Sequence, residues 1–390
     1  MRIKIGKHFI SKKDPVYFIA DIASNHNGDL SKAKELIHAC SESGVNAVKM
    51  QNFTAKTIVS DYGFKNLNEI KTHQSGWETS VYDSYDAASI PLDWTLELKE
   101  LSQKLGMDYF TSPYSPELTE AVAPHVSAFK LGSGDITWHE QINLMSTLNK
   151  PLLIATGAST LKEVEMAVEV AVKNTQELIL MQCNTNYTAT KNEPKKNTED
   201  RFSNINLKVL ETYSKIWPEM LLGLSDHTLG HLTVLAAVGL YDCVTVEKHF
   251  TLDSSQKGQD HSFSMMPSEW QEMVERTTQL KSAISEKDSF ESRYQKVQSL
   301  SEDSEYLPLI IGNGIKEISK NELNTSVVQR RSIRAKYDLK KGQIIGRDQL
   351  EILRPCPKDA LPPYKLGQLI GKRLLQDMQQ GEYFKSGNLK

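Results

Sequence analysis

Cysteine is scarce in this sequence, and its four copies are scattered. Cys40, Cys183, Cys243 and Cys356 lie far apart, and none belongs to a C-x-x-C pair. A disulfide framework or a zinc–thiolate site is built from closely spaced cysteines, so this spacing disfavours both. We expect reduced, buried thiols in a cytoplasmic protein.

Long apolar runs are also missing. No segment approaches the roughly 20 consecutive apolar residues that span a bilayer. Residues 1–15 are charged and lack the apolar core of a signal peptide. The net charge of −3 provides no broad basic field for nucleic acid or for an anionic membrane. We therefore expect no nucleic-acid partner and no membrane partner.

What the sequence does have is a repeated alternation of short apolar runs and helical patterns. Apolar residues recur at helical spacing, for example at 33–40, 161–172 and 268–284. The runs predicted as strands are Val16–Ala20, Ala47–Gln51, Asp108–Ser112, Ala128–Gly132, Pro151–Ala155, Leu178–Gln182, Leu221–Leu224 and Val244–Val246. Eight alternating units predict an α/β fold, a (β/α)8 TIM barrel. An open doubly wound sheet competes with it, but no G-x-G-x-x-G follows the first strand.

The composition changes after residue 285. We predict a barrel domain at 1–285, a polar linker at 286–326 and a small, mostly β domain at 327–390. In this last domain an Asp–Gly turn pattern occurs twice, at 338–345 and 377–384, which indicates either two ordinary turns or a pseudo-symmetric domain. A domain of about 65 residues is marginally stable alone, so we expect it to dock on another surface.

Polar residues follow the predicted strands, where a barrel carries its catalytic rim. His227 and His249 follow the last two strands, and neighbouring strands lie about 4.8 Å apart, so one divalent ion can reach both imidazoles. Lysines and hydroxyls on the same rim suit a bound phosphate and carboxylate. The strand-end residues are Asp21, Lys49, Thr111, Lys130, Thr156, Ser225, His227, Glu247 and His249. The residues alone indicate a barrel enzyme with an anionic substrate and a divalent metal.

The chain also resembles the sialic acid synthase family, the nonulosonate synthases, over nearly its whole length. The motifs that carry the resemblance are Ile19–Ile22 with Asn25–Gly28, Val48–Gln51, Phe129–Asp135, Ala155–Gly157, Ser225–Thr228, Glu247–Thr251 and Gly258–His261. The tail from Arg331 to Lys372 resembles the family's C-terminal antifreeze-like (SAF) domain. The resemblance implies condensation of phosphoenolpyruvate with the open-chain aldehyde of an N-acylated six-carbon amino sugar, such as N-acetylmannosamine. The products would be a nine-carbon α-keto acid and phosphate.

The resemblance also implies roles for individual residues. His227 and His249 would hold a divalent metal, Mn²⁺ first and Mg²⁺ or Co²⁺ otherwise, as a Lewis acid for the aldehyde. The catalytic residues implied are Asp21, His227, Glu247 and Asp260. The substrate contacts implied are Lys49 and Thr111 for the pyruvate carboxylate, Lys130, Ser133 and Ser225 for the phosphate, Asp135 and Tyr187 for the sugar, and also Thr156 and Asn184. Arg354 would reach from the SAF domain into a partner subunit's site and contact the N-acyl group, which implies a homodimer with exchanged SAF domains.

Some positions depart from the family's usual pattern. Asp21 replaces a glutamate, Ala155 a serine and Gln259 a proline. The asparagine after Cys183 is displaced, which leaves Asn184 or Asn186 to reach the ligand. Together with the long, aromatic rim loop at 54–91, these departures predict a subfamily that acts on a different sugar.

Two other functions compete with this one. A phosphoenolpyruvate-dependent synthase of another keto-sugar acid, with eight carbons, would use a different aldehyde, but the SAF-like tail disfavours it. A non-catalytic sugar-binding protein would bind its ligand through residues 327–390 alone. A scaffold of that kind has no need of two lysines and two histidines on one rim.

Overall fold

An antiparallel hairpin, β1 (Ile3–Ile5) and β2 (His8–Ile10), leads into a closed barrel of eight parallel strands in the computed structural model, which describes residues 1–67, 74, 77–185 and 201–390. The barrel strands lie in chain order, and the last pairs with the first. They are β3 (Tyr17–Asp21), β4 (Ala47–Asn52), β5 (Asp108–Pro113), β6 (Phe129–Leu131), β7 (Leu152–Ala155), β8 (Leu178–Cys183), β9 (Leu221–Asp226) and β10 (Thr245–His249). The predicted TIM barrel is confirmed.

The hairpin is not apparent from the sequence, because each of its strands is three residues long. Its contacts converge on Asp108, the first residue of β5. The Asp108 carboxylate accepts hydrogen bonds from the Lys7 N–H at 3.2 Å and the Tyr17 hydroxyl at 2.8 Å, and it lies 2.7 Å from Nδ1 of His8. The hairpin therefore packs at the end of the barrel where the strands begin, opposite the strand-end residues.

Helices cross over between the strands and form the outer layer. In the first crossover, Asp29 caps the helix by accepting hydrogen bonds from the N–H groups of Ser31 and Lys32, and Gly44 follows the helix with a φ of +78°. The helices are α1 (Leu30–Glu42), α2 (Ala55–Ile58), α3 (Asp61–Lys65), α4 (Val81–Ala87), α5 (Trp94–Lys104), α6 (Pro116–Val122), α7 (His139–Thr147), α8 (Leu161–Ala171), α9 (Val209–Ile216), α10 (Leu232–Tyr241), α11 (Pro267–Ala283), α12 (Phe290–Gln298), α13 (Leu307–Ile311) and α14 (Leu323–Val328). In the described part of the chain, no helix is both long and apolar enough to cross a membrane.

The predicted linker at 286–326 packs against the barrel. It includes α12 and α13, and its residues Val297, Leu307 and Ile310 are buried in the same core as the barrel helices. The approach of α12 to α10 is close, because a Cβ on Gly239 would lie 2.5 Å from Cγ2 of Val297. This segment is therefore part of the barrel's outer layer and not a free tether. The domain boundaries at 285 and 326 stay predictions.

The two Asp–Gly turns of the tail are joined to each other. Asp377 accepts a hydrogen bond from the Lys341 N–H at 2.8 Å, and Asp338 accepts one from the Gln380 N–H at 2.8 Å. Each aspartate thus stabilises the other turn, and the glycine of each turn has a φ above +80°. These reciprocal contacts favour the pseudo-symmetric interpretation. The tail's strands are β11 (Ser332–Ala335) and β12 (Leu350–Leu353), which pair antiparallel.

Candidate active site

The side chains in the barrel mouth follow the two-residue period of the strands. The strand register places Asp21 level with Lys49, and Ser225 level with Glu247. Successive strand residues point to opposite faces, so residues that are level on neighbouring strands share a face. The predicted residues that the structure brings together are Asp21, Lys49, Lys130, Ser225, His227, Glu247 and His249.

Two buried lysines share one carboxylate in this mouth. Nζ of Lys130 donates to Oε1 of Glu247 at 2.6 Å and to the Ser225 hydroxyl at 3.3 Å, while Nζ of Lys49 lies 3.7 Å from the same Glu247 oxygen. Lys49 also donates to Oδ2 of Asp21 at 2.7 Å. Burial alone would lower the pKa of Lys49, but Asp21 and Glu247 outweigh it and hold that pKa above its ordinary value. Lys49 is therefore a charged ammonium group that can attract an anionic substrate.

Glu247 uses one carboxylate oxygen in this network. The other oxygen, Oε2, is buried and has no hydrogen-bond partner among the described residues. Leaving a buried acceptor unsatisfied costs about 1–3 kcal/mol, and more for a charged group. Oε2 of Glu247 is therefore suited to accept a proton or a hydrogen bond from a ligand in the mouth.

The two predicted metal-binding histidines lie side by side. The ring centroids of His227 and His249 are 5.4 Å apart, and Phe263 packs edge-on against both rings. Nδ1 of His227 lies 3.0 Å from the backbone oxygen of Asn184. Because a carbonyl oxygen accepts only, Nδ1 carries the proton and Nε2 carries the lone pair. Burial lowers the pKa of both histidines, that of His249 to about 4 against the raising effect of Asp21, so both rings are neutral, as metal ligands must be.

These imidazoles fit a divalent ion that has two protein ligands. Over the described ranges, no group of three or more His, Cys, Asp or Glu side chains could hold a metal. Nδ1 of His249 is nevertheless buried without a hydrogen-bond partner in that part of the chain, and a neutral imidazole nitrogen is a good ligand for first-row divalent ions. The other coordination positions would be open to water and substrate oxygens. The metal itself stays a prediction.

Three predicted substrate residues point away from the mouth. The hydroxyls of Thr111 and Thr156 donate to backbone oxygens of the neighbouring strand at 2.9 and 3.0 Å, and the Asn184 amide pairs with Asn321. A one-residue step along a strand reverses the face that a side chain occupies. Their roles as substrate contacts stay predictions, but the geometry favours neighbouring residues.

Ser112 and Gln51 occupy mouth positions to which the sequence analysis assigned no role. The Ser112 hydroxyl lies 3.5 Å from Nζ of Lys49, and the Gln51 amide donates to Oδ2 of Asp21 at 3.0 Å. In the strand register Gln51 is level with Ser112, two positions beyond Lys49. The alternation counted from Lys49 is the signal that could have found both residues.

Ser133 lies on the next part of the rim. Its hydroxyl accepts a hydrogen bond from the Gly157 N–H at 2.9 Å. A Cβ on Gly157 would lie 2.9 Å from that hydroxyl, so this close approach requires glycine. Ser133 lines a cleft of about 90 Å³ together with His249, Asp260 and Arg354. The predicted phosphate, metal and sugar sides therefore meet in one cleft.

Asp260 contributes an unusually weak carboxylic acid to this cleft. Its carboxylate accepts a hydrogen bond from the Ser24 N–H at 3.1 Å. Burial, supported by the nearby charge of Asp21, raises the pKa of Asp260 to about 6 despite that hydrogen bond. A group with this pKa can exchange a proton near neutral pH.

The Asn25–Gly28 motif fastens the loops around the mouth. The Asn25 amide donates to the backbone oxygen of Phe250 at 2.8 Å, and Oδ1 of Asn27 lies 3.1 Å from Nε2 of His261. These contacts join the loop after β3 to the loop after β10. The motif therefore has a structural explanation beside any contact with substrate.

The long rim loop supplies an aromatic wall. Tyr85 packs edge-on against Trp77 and Phe53, with ring centroids 5.8 and 5.5 Å apart. A second cavity of about 460 Å³ lies beside the cleft and also includes Trp77 in its lining. Lys257, which lines this cavity, is paired with Glu78 at 2.7 Å. Tyr187, predicted to contact the sugar, lies outside the described residues.

The tail docks on the mouth through two buried arginines. Nε of Arg331 donates to Oδ1 of Asp135 at 2.8 Å, and its other nitrogens donate to backbone oxygens of the rim loops and of the tail. Nη2 of Arg354 lies 3.7 Å from the same Asp135 oxygen, and its Nη1 donates to the Tyr85 hydroxyl at 3.2 Å. Asp135 therefore anchors the tail through these two arginines. Its contact with the sugar stays a prediction.

Arg354 enters the mouth of its own barrel in this single chain, whereas we expected it to enter the site of a partner subunit. An exchange of SAF domains between two subunits would create the same contacts between chains. The homodimer, the exchange and the N-acyl contact of Arg354 stay predictions.

Arg331→Met should destabilise the chain by about 3–5 kcal/mol, because it leaves the buried Asp135 carboxylate without its closest cation. Arg347→Met is the matched control, since Arg347 pairs with Glu140 across the same tail–barrel boundary at 2.9 Å but both side chains are about half exposed. Its expected change is below about 1 kcal/mol. Urea unfolding measures both. Equal effects of the two substitutions would contradict the role of Arg331 as the anchor.

Comparison with known proteins identifies the family. The NeuB family model matches residues 36–289, and the SAF domain model matches residues 330–390. The chain belongs to the NeuB family. The predicted resemblance to nonulosonate synthases and the predicted SAF tail are confirmed.

Relatives of this NeuB-family chain are synthases. The N,N'-diacetyllegionaminic acid synthases of Legionella pneumophila and Campylobacter jejuni are each 31% identical to it. These matches cover 94% and 92% of this chain and 92% and 97% of the two relatives. The solved structure of the spore coat polysaccharide biosynthesis protein SpsE of Bacillus subtilis matches with a TM-score of 0.78 and 24% identity, over 100% of this chain and 99% of its own, which shows the fold. The prediction of an enzyme is confirmed.

Proposed function

We propose that this enzyme condenses phosphoenolpyruvate with the aldehyde of an N-acylated six-carbon amino sugar to give a nine-carbon α-keto acid and phosphate. The observation that carries the proposal is the pair of buried lysines, Lys49 and Lys130, on either side of Glu247. Two fixed ammonium groups suit the two anionic groups of phosphoenolpyruvate. The neutral imidazoles of His227 and His249 suit the ion that activates an aldehyde.

The reaction forms one C–C bond and one C–O bond, the latter to the oxygen of water, and it breaks the C–O bond to phosphate. The enol carbon of phosphoenolpyruvate attacks the aldehyde carbon, whose oxygen takes up a proton. Water then adds to the resulting oxocarbenium carbon and loses a proton. The tetrahedral centre expels phosphate, which takes the remaining hydroxyl proton, and the ketone is left. A divalent ion held by His227 and His249 would supply polarisation of the aldehyde oxygen.

In this proposal two carboxyl groups handle the protons. Asp260, with its pKa of about 6, donates to the aldehyde oxygen, and Oε2 of Glu247 takes the proton from the attacking water. Asp21 keeps Lys49 in place through its 2.7 Å hydrogen bond. The raised pKa of Asp260, the Oε2 of Glu247 left without a partner among the described residues and the hydrogen bond of Asp21 to Lys49 are the observations that support these three roles.

The anionic groups of phosphoenolpyruvate would be divided between the lysines. Lys130, with Ser225 at 3.3 Å, binds the phosphate, and the Ser133 hydroxyl completes that side. Lys49 binds the carboxylate together with Ser112, which takes over the role predicted for Thr111 because it is the hydroxyl beside Lys49.

We propose an unphosphorylated acceptor related to the diacetylated sugars of legionaminate synthases. Two relatives with that name are each 31% identical to this chain. The cavity of about 460 Å³ beside the cleft is large enough for an acylamino group, and Trp77, Ala87 and Ala88 give it an apolar part. Among its described lining residues the one cation, Lys257, is already paired with Glu78, so a sugar phosphate would find no uncompensated positive charge there.

Phosphate release tests this function. We expect release only when phosphoenolpyruvate, a divalent ion and an N-acylated amino sugar are all present, and fastest with the diacetylated legionaminate-type precursor. Omission of each component in turn is the control. If the acceptor is unphosphorylated, as proposed, the 6-phosphate of N-acetylmannosamine should release less phosphate than the uncharged sugars. No release with mannosamine-, legionaminate- or pseudaminate-type precursors would contradict the proposal.

A further inference from the structure

We propose that Glu322, in the segment between the barrel and the tail, is a positioning residue for both the metal side and the phosphate side of the site. These two sides are assigned by the proposed function, on which the inference rests. Glu322 lies in the predicted polar linker, where no motif marks it. Its side chain is buried, and it binds the rim of the barrel.

One oxygen of Glu322 joins two strand-end loops. Oε1 accepts hydrogen bonds from the Ala158 N–H at 2.7 Å, the Thr185 N–H at 2.7 Å and the Thr185 hydroxyl at 3.0 Å. Ala158 follows β7, and Thr185 follows β8. Because one carboxylate oxygen accepts hydrogen bonds from both loops, it fixes the spacing between them.

The contact with Thr185 leads to His227. Asn184 precedes Thr185, and its side-chain amide exchanges two hydrogen bonds with Asn321, at 2.9 and 3.2 Å. Glu322 and Asn321 therefore hold Asn184 through both its chain neighbour and its side chain. The backbone oxygen of Asn184 lies 3.0 Å from Nδ1 of His227, and this contact determines which ring nitrogen carries the proton.

The contact with Ala158 leads to Ser133. Ala158 has a φ of +46°, a left-handed conformation that is unfavourable for a residue with a Cβ. The hydrogen bond to Glu322 helps to stabilise that conformation. The preceding residue, Gly157, donates its N–H to the Ser133 hydroxyl at 2.9 Å. A change at Glu322 would therefore disturb the phosphate side and the metal side together.

A partly buried contact at the start of the tail provides a comparison. Arg330 pairs at 2.7 and 2.9 Å with Glu163, the third residue of α8, which accepts a hydrogen bond from the N–H of the capping residue Thr160. This pair ties the tail to the barrel, but Glu163 lies on the outer helix layer and its hydrogen bonds do not lead to His227. Substitution of Glu163 should thus lower the stability of the protein, as substitution of Glu322 does, but should leave the position of His227 unchanged.

The test compares Glu322→Ala with Glu163→Ala in the full chain. Calorimetric titration of the metal-free protein with Mn²⁺ gives the dissociation constant, which we expect to rise about tenfold or more in Glu322→Ala, the range seen when a residue behind a metal ligand is removed. Glu163→Ala should change it less than threefold. Glu322→Gln keeps an acceptor oxygen and should restore most of the affinity. Asn321→Ala offers a milder variant if Glu322→Ala does not fold.

A second readout does not depend on the metal. In protein labelled with ¹⁵N-histidine, the Nδ1–H signal of His227, assigned by its loss in His227→Ala, should persist in Glu163→Ala and weaken in Glu322→Ala. Equal Mn²⁺ affinities and equal Nδ1–H signals in the two variants would overturn the inference. If the unsubstituted protein binds no Mn²⁺, the proposed metal site fails, and the Nδ1–H signal alone decides the role of Glu322.

Discussion

Lys130→Met should lower kcat/KM for phosphoenolpyruvate by about 10²–10³-fold, the effect of removing one well-placed donor to a developing or bound anion. Lys130 is buried and donates to Glu247 at 2.6 Å. Without the ammonium group, the charge of Glu247 faces the incoming phosphate without its closest counterion, so repulsion adds to the lost attraction. Initial rates of phosphate release over a range of phosphoenolpyruvate concentrations measure the effect.

Lys248→Met is the matched control for this substitution. Lys248 is equally buried and donates to Asp226 at 2.6 Å, but it lies between the inward-facing Glu247 and His249 and so points to the outer face of the barrel. Both substitutions break a buried ion pair and should reduce stability. A loss of kcat/KM in Lys248→Met as large as that in Lys130→Met would show that the effect comes from general destabilisation and would contradict the assignment of Lys130.

His227→Ala should abolish Mn²⁺ binding and lower turnover by at least about 10³-fold, because Lewis-acid polarisation of the aldehyde contributes several kcal/mol. The protein should remain folded. The substitution removes the contact with the Asn184 backbone oxygen, and loss of one such buried hydrogen bond costs about 1–3 kcal/mol. Calorimetry of the metal-free protein measures the binding, and circular dichroism checks the fold.

His231→Ala is the control for the histidine substitution. His231 lies four positions further along the same loop, at the start of α10, and among the described residues the histidine ring that packs against His249 is that of His227. It should keep the Mn²⁺ affinity of the unsubstituted protein. If His227→Ala still binds one equivalent of Mn²⁺ with unchanged affinity, the two-histidine metal site is wrong.

The strands of the barrel could be predicted because parallel strands are buried on both faces and appear in the sequence as short, continuous apolar runs. The predicted run Val16–Ala20 and the observed strand Tyr17–Asp21 differ by one residue at each end. The hairpin at 3–10 escaped prediction because its short strands are held by a distant residue, Asp108. The local sequence pattern thus predicts the barrel strands, whereas contacts between distant residues determine the hairpin that packs at the end of the barrel where the strands begin.

The candidate site was predictable as a set of strand ends, but not residue by residue. Lys49, Lys130 and the two histidines lie together as expected. The hydroxyls of Thr111 and Thr156 turn toward backbone oxygens of a neighbouring strand, because successive strand positions face opposite sides and a motif alone does not tell which position faces the mouth. Ser112, which is next to Thr111 in sequence, lies beside Lys49 instead.

The supporting contacts could not be predicted, because they join residues that are far apart in the chain. Arg331 is 196 positions from its partner Asp135, and Glu322 is 164 positions from Ala158. From the sequence alone, Arg331 and Glu322 would be interpreted as ordinary surface residues of a charged segment. Their burial becomes apparent once the tail is docked on the rim, which the folded structure shows.

The most direct test of the central claim is the mass of the product made from phosphoenolpyruvate labelled with ¹³C at all three carbons. We predict an α-keto acid that contains the intact acceptor sugar plus three labelled carbons, formed in equal amount with phosphate. Labelled pyruvate as the sole product would show that phosphoenolpyruvate is hydrolysed without C–C bond formation. An eight-carbon product would show that the acceptor is a five-carbon sugar, and either result would contradict the account.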